Sequence, residues 1–458
     1  MGQFISKLKL FLQSKWLVAP LFFVALIFQT LGLYEVNVLI SAIIVSFILL
    51  FCEDVKNIFA IIFYVSFFIG DIYVSANWYV YGVAIGLALI SFVIFTIRKV
   101  KERKLNAHHF KFSRIFIPLC FASVAFVLGG IFSNFSLLPF LATLGFSLAV
   151  LFLVFVATNY SNNLKEYLPL LFTLGAVLIS LEIFIQNVVG AGSLLSAFTL
   201  HKLWIGAQNV NAASLFILIG QVSCLQLGFK KKNGYLYLLL SAFLTFAIVT
   251  TLCRMVIALA VLSFIILAIY SLVKTDYKKS YAITFCAIGL SVSIFCLLDP
   301  SFLEKIISSI LSKIYGGDFF RGRIEIWDWC FEYFSKYPVL GYGFTAPPEA
   351  LFPLGPSNII LAHNTFIQWL VSLGVLGTLV LLFFSFCKYK IAFLSIKEAS
   401  VFPAFLLVMI ALSGLVDQAA QMDIFIHLIS IITLVSIDDC SPFRTLLPLK
   451  KHNLGSKK

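Results

Sequence analysis

The sequence predicts an all-α polytopic membrane bundle of about 12–14 transmembrane helices with one large helical loop on its outer face. Three observations predict it. Hydrophobic residues make up 61% of the 458 residues and charged residues only 12%, about half the charged fraction of a soluble chain. The apolar residues fall in runs near the ~20 residues that a helix needs to cross a bilayer. The runs do not alternate polar with apolar, as barrel strands do, so their backbone amides must be satisfied within helices.

The runs are 16–33, 36–52, 58–75, 78–97, 115–133, 138–158, 167–188, 209–228, 234–251, 254–273, 281–298, 363–386, 400–416 and 424–437. The first, from Trp16 to Leu33, is long and lacks a small-residue cleavage site, so it reads as a retained span rather than a signal peptide. The pairs 36–52 with 58–75 and 400–416 with 424–437 are short and joined by tight connections. The chain reads as one membrane domain, 1–458, containing an outer loop at 299–362 and ending in a basic tail at 440–458.

Charge gives the bundle a direction. With both termini in the cytoplasm and the spans alternating, 26 of the 33 Lys and Arg residues fall on inner segments, as the positive-inside rule expects. They include Lys7, Lys9 and Lys15, Lys56, the seven cations from Arg98 to Arg114, Lys165 and Lys230 to Lys232. The net charge of +13 then sits against anionic lipid headgroups and implies no nucleic acid. The nine cysteines form no CxxC pair and read as small buried hydrophobes.

Only Lys202, Arg254, Lys305, Lys313, Arg321, Arg323 and Lys336 remain on outer segments. In the outer loop, SFLEKIISSILSKIYGG has apolar residues at helical spacing and stops at Gly316-Gly317. A second helix follows in RGRIEIWDWCFEYFSKYP, ended by Pro338 and a GYG turn, and suits the membrane surface. Arg254 and His363 each open a span from the same side. A snorkelling arginine, a surface histidine and a helix-capping Asn364 are the plainer readings of these residues. Their convergence favours a site for a polyanion. Helix amino termini offer free N–H donors and partial positive charge, and arginine forks match phosphate oxygens.

Other chemistries lack their residues. There is no Gly-rich phosphate loop, no HExxH, no GxSxG and no His/Cys/Asp cluster at metal spacing. His108 and His109 lie on a basic inner loop. Asp71, Asp417 and Asp423 lie near outer span ends, where a metal site would need distant acids to meet. Mid-span charge is nearly confined to Glu182, which argues against an ion-coupled transporter.

The segment from Arg323 to Gly377 resembles the O-antigen ligase/polymerase superfamily. The matching residues are Arg323 with Trp327, Pro338 with Gly341 and Gly343, and His363-Asn364 with Gly374 and Gly377. TLCRMVIALAVL resembles the family's earlier arginine-opened span, with Cys253 where the family has serine. GAQNVNAASLFIL resembles its Asn-containing entry into another span, through Asn209 and Asn211. The chain departs from the pattern at Ser372 and Leu373, where many members carry an acid.

The resemblance implies an all-helical, metal-independent, inverting glycosyltransferase that needs no cofactor. Its donor would be a glycan on undecaprenyl diphosphate, and its acceptor the lipid A-core sugar for a ligase or a lipid-linked repeat unit for a polymerase. Arg254 and Arg323 are then assigned to the diphosphate, with Arg321 in support. His363 suits a proton acceptor, because imidazole titrates near neutral pH, or a donor to phosphate. Asn364, Lys202, Asn211 and Trp327 join as substrate-binding candidates, Trp327 by stacking on sugar or anchoring in the interface. Two rivals stay open. One is a flippase that binds the same lipid diphosphate without chemistry. The other is a protein O-oligosaccharyltransferase, which usually adds a large soluble carboxy-terminal domain.

Overall fold

The computed structural model describes residues 2–31, 33–68, 78–106, 111–132, 137–191, 210–251, 253–298, 300, 304, 307–308, 323–344, 362–396, 401–415 and 424–438. Every regular element among them is helical. In chain order they are α1 (Gly2–Gln13), a 3-10 turn (Lys15–Leu17), α2 (Val18–Thr30), α3 (Tyr34–Phe51), α4 (Asn57–Phe68), α5 (Trp78–Asn106), α6 (Phe116–Phe132), α7 (Leu137–Tyr160) and α8 (Leu164–Ala191). Then follow α9 (Val210–Gly228), α10 (Gly234–Thr250), α11 (Arg254–Lys274), α12 (Lys278–Leu298), α13 (Arg323–Lys336), α14 (Thr365–Ser395), α15 (Val401–Ser413) and α16 (Ile424–Ile437).

Each of the fourteen apolar runs overlaps helix among its described residues. Six of these helices are long and apolar enough to cross a membrane, or seven if the bent pair Ser6–Gln13 and Lys15–Phe28 makes one crossing. Five shorter apolar helices pack among them. The 74° bend between α1 and α2 is set by Ser14, whose hydroxyl accepts the Trp16 N–H, and by Asn57, whose amide donates to the Leu12 and Ser14 carbonyls.

Small residues and neutral polar groups hold the helices together, as apolar surface alone cannot in lipid. Gly220 of α9 sits so close to Ala176 and to the Phe172 backbone of α8 that no Cβ fits there. Gln221 ties three helices: its amide donates to Thr245 of α10 and to the Ala260 carbonyl of α11, and it accepts from Ser263.

These contacts define two ends. At the first, Tyr167 donates to Asn57, Val55 N–H to the Tyr160 carbonyl, and Asn159 exchanges two bonds with Lys111. Asp438 closes the same end by accepting Ser113 Oγ at 2.7 Å, Arg114 N–H at 2.8 Å and Arg114 Nε at 2.6 Å. α8 and α9 run antiparallel, with Thr173 on Gly220 and Gly175 against Phe216, so Gly228 joins this end too. The rings of Phe229, Tyr270 and Phe402, 5.3–6.1 Å apart, bring in the end of α11 and the start of α15. Lys15, Lys56, Arg98, Lys111, Arg114, Lys165, Lys230 and Lys274 thus gather at one end, the grouping that the charge pattern predicts.

Candidate functional site

The opposite end holds the candidate residues. α9 begins beside the α10–α11 junction, where Ser214 donates to Thr251 and the Cys253 thiol donates to Asn211 Oδ1 at 3.2 Å. Asn211 is therefore next to the residue that precedes Arg254, and Arg254, half-buried, opens α11.

His363 and Asn364 arrive by another route. Asn364 is the N-cap of α14: its Oδ1 accepts the N–H groups of Phe366 and Ile367 at 3.0 and 3.1 Å. Its amide donates to the Leu415 carbonyl, and Thr365 N–H donates to the Gly414 carbonyl. The start of α14 is thereby stapled to the end of α15. Because the Phe229–Tyr270–Phe402 ring cluster fixes the start of α15 at the lysine-rich end, its C-terminal end lies at the end of Asn211 and Arg254. His363 itself is half-buried in the left-handed region, φ 48, which side chains rarely adopt.

Arg323 comes to this end through Trp327. The Trp327 indole N–H donates to the Ala362 carbonyl at 2.8 Å, immediately before His363. Arg323 lies one helical turn earlier on α13 and is half-buried. α13 seats Cys330 against Ala362 and Val371, with Ile326, Trp329, Tyr333, Tyr342 and Ile367 around them. Burial pushes the Cys330 thiol up to about 12, so it serves as packing rather than as a nucleophile.

The turn after α13 enters a break in α14. At Gly374 (φ 63, ψ −166) the helix loses its own hydrogen bonds. The turn replaces them: Val375 N–H donates to the Pro338 carbonyl at 2.8 Å and Leu376 N–H to the Val339 carbonyl at 3.2 Å. In return Tyr342 and Gly343 N–H donate to the Val371 and Ser372 carbonyls at 2.7 and 3.0 Å. Such replacement is what an interrupted helix inside a membrane requires. The two backbones meet at Gly341 and Gly374. A Cβ on Gly341 would lie 2.5 Å from the Gly374 and Leu373 nitrogens, and one on Gly374 would overlap the Val339 carbonyl. Ser372, standing where the resemblance expects an acid, is fully buried and accepts from Gln368 at 2.8 Å.

The structure thus gathers Arg254, Asn211, Arg323, Trp327, His363 and Asn364 at one end. Arg321 and Lys202 lie outside the described residues, as do Asn209, Asp71, Asp417, Asp423, most of the first loop helix and the tail. The continuous span expected over 363–386 is instead two helical segments, 365–373 and 375–395, and only the second approaches a full crossing. Sequence reasoning missed Gln368 and the break. The signal was available in QWLVSLG, a glutamine and a serine four residues apart ahead of a glycine, within an apolar run.

The helices define a multi-pass membrane protein. Residues 211–382, a little more than a third of the chain, match the family model described as O-antigen ligase, which supports the O-antigen ligase-like superfamily. Proteins of that family are glycosyltransferase-like enzymes, and the domain supports a function of ligase or polymerase type. No curated protein matches the chain. The matched stretch runs from Asn211 into the second segment of α14 and contains Asn211, Arg254, Arg321, Arg323, Trp327, His363 and Asn364, while Lys202 and Asn209 precede it.

Proposed function

We propose that the chain is an O-antigen ligase of the bacterial inner membrane, moving a glycan from undecaprenyl diphosphate to a hydroxyl of lipid A-core at the periplasmic face. The observation that carries this reading is the arrival of Arg254, Arg323 and His363 at the end of the bundle opposite the lysine-rich loops. By the positive-inside rule the lysine-rich end is cytoplasmic, so the arginines face the compartment where the acceptor lies.

In the reaction, the acceptor oxygen attacks the anomeric carbon as the bond to the diphosphate oxygen breaks. The electron pair leaves on undecaprenyl diphosphate, and the configuration inverts. Arg254 and Arg323 neutralise the charge that develops there, and preorganised cations are a large source of rate enhancement. His363 takes the hydroxyl proton. No metal is assigned a part. The residues 299–362 form the periplasmic loop that shapes the acceptor cleft, within a single membrane domain spanning the chain.

The test supplies purified protein with undecaprenyl-diphosphate glycan and either lipid A-core or lipid-linked repeat units alone. Transfer to core is expected. Chain growth without core would assign the polymerase reaction instead. Binding without transfer to either acceptor would leave a lipid-diphosphate carrier and overturn the enzyme reading.

A further inference from the structure

Gln368 is buried in α14, 2% exposed, and both ends of its amide are used. Its Oε1 accepts the Ala362 N–H at 2.8 Å, and its Nε2 donates to Ser372 Oγ at 2.8 Å. The Ala362 carbonyl is taken by Trp327. Both backbone groups of the residue before His363 are therefore held by side chains from two different helices. On the other side of His363, the Asn364 side chain bonds the first turn of α14 and the Leu415 carbonyl. His363 sits between these grips in a left-handed conformation that is strained for a residue with a Cβ.

We propose that Gln368 is the positioning residue of the site: it sets the place of the His363 imidazole and couples it to the turn that follows the Arg323 helix. The coupling runs through Ser372, whose hydroxyl meets Gln368 while its carbonyl accepts the Gly343 N–H of that turn. A neutral amide suits the task, because it supplies an acceptor at one end and a donor at the other without burying a charge. Leucine at 368 would fill the space and leave the Ala362 N–H unpaired. Glutamate would keep an acceptor for Ala362 and can still bond the rotatable Ser372 hydroxyl. The inference rests on His363 taking part in transfer.

The test compares full-length Gln368→Leu and Gln368→Glu with the unaltered protein in two measurements. Transfer kinetics should show kcat falling on the order of 10- to 100-fold in Gln368→Leu with little change in KM for the donor, the size of effect that a small misplacement of a reacting group produces. Gln368→Glu should recover most of that loss. Carbethoxylation of His363 by diethyl pyrocarbonate, read by peptide mass spectrometry against His109, reports the imidazole without turnover. Its rate should change several-fold in Gln368→Leu. An unchanged His363 modification rate would overturn the proposal, as would kcat, KM and thermal stability falling together with no recovery in Gln368→Glu. Should His363→Ala prove fully active, the reading of His363 as a reacting group falls, while the modification rate still decides whether Gln368 positions it.

Discussion

The two ends of the bundle are tied by different chemistry. At the lysine-rich end an ion pair joins the ties: Asp438 takes three bonds from Ser113 and Arg114, beside the neutral bonds of Tyr167 with Asn57 and of Asn159 with Lys111. At the other end the ties that shape the site are neutral: four backbone bonds between the turn and the broken helix, the Trp327 indole, and the amides of Gln368 and Asn364. The difference separates two tasks. An ion pair helps to close the first end, whereas these described ties of the second end are neutral groups that do not compete for an anionic substrate. Damage at the first end should cost stability, and damage at the second should cost activity.

The largest effect that sharpens this contrast is expected at the paired glycines. Gly374→Val forces a branched side chain into the Val339 carbonyl at a positive φ, a strain of about 3 kcal/mol or more. Transfer should be lost, and limited proteolysis should cut the turn at 338–343 faster. Asp438→Ala leaves Ser113 and Arg114 without their acceptor and should cost about 2 kcal/mol, discounted because Arg114 is partly exposed. A thermal shift assay in detergent should show that loss, with the rate per folded molecule preserved. Asn364→Ala removes a helix cap worth about 1 kcal/mol. Because the cap adjoins His363, its effect on kcat should exceed its effect on melting temperature. Glu332→Gln breaks an exposed pair with Lys336 on α13 and should leave the melting temperature essentially unchanged in the same assay. Equal effects of Asp438→Ala and Asn364→Ala on both readouts would erase the distinction between the ends.

Much of the fold was legible because lipid leaves few options. Runs such as LFTLGAVLISLEIFIQ can satisfy their backbone in a bilayer only as helices, and the lysines between the runs mark one end. The candidate site was legible in part. Arg254 and His363 stood out as polar residues opening spans, and both open helices in the structure or stand at their caps. The break in α14 was only hinted at, by the glutamine, serine and glycine of QWLVSLG. Gly374 within SLGVLG reads as a close-packing glycine, and only the distant Pro338–Gly343 turn supplies the acceptors and donors that make a break tolerable. Trp327 illustrates the same limit: its spacing from Arg323 was visible, but its bond to Ala362 joins residues 35 apart and depends on α13 folding back onto α14.

The central claim is that transfer occurs at the end where Arg254, Arg323 and His363 gather. It is tested most directly by the initial rate of glycan transfer in purified Arg254→Ala, Arg323→Ala and His363→Ala, each expressed and melting as the unaltered protein does. A loss on the order of 100-fold or more is expected in each, the size that follows when a group that stabilises developing charge or takes up a proton is removed. Full activity in all three would contradict it.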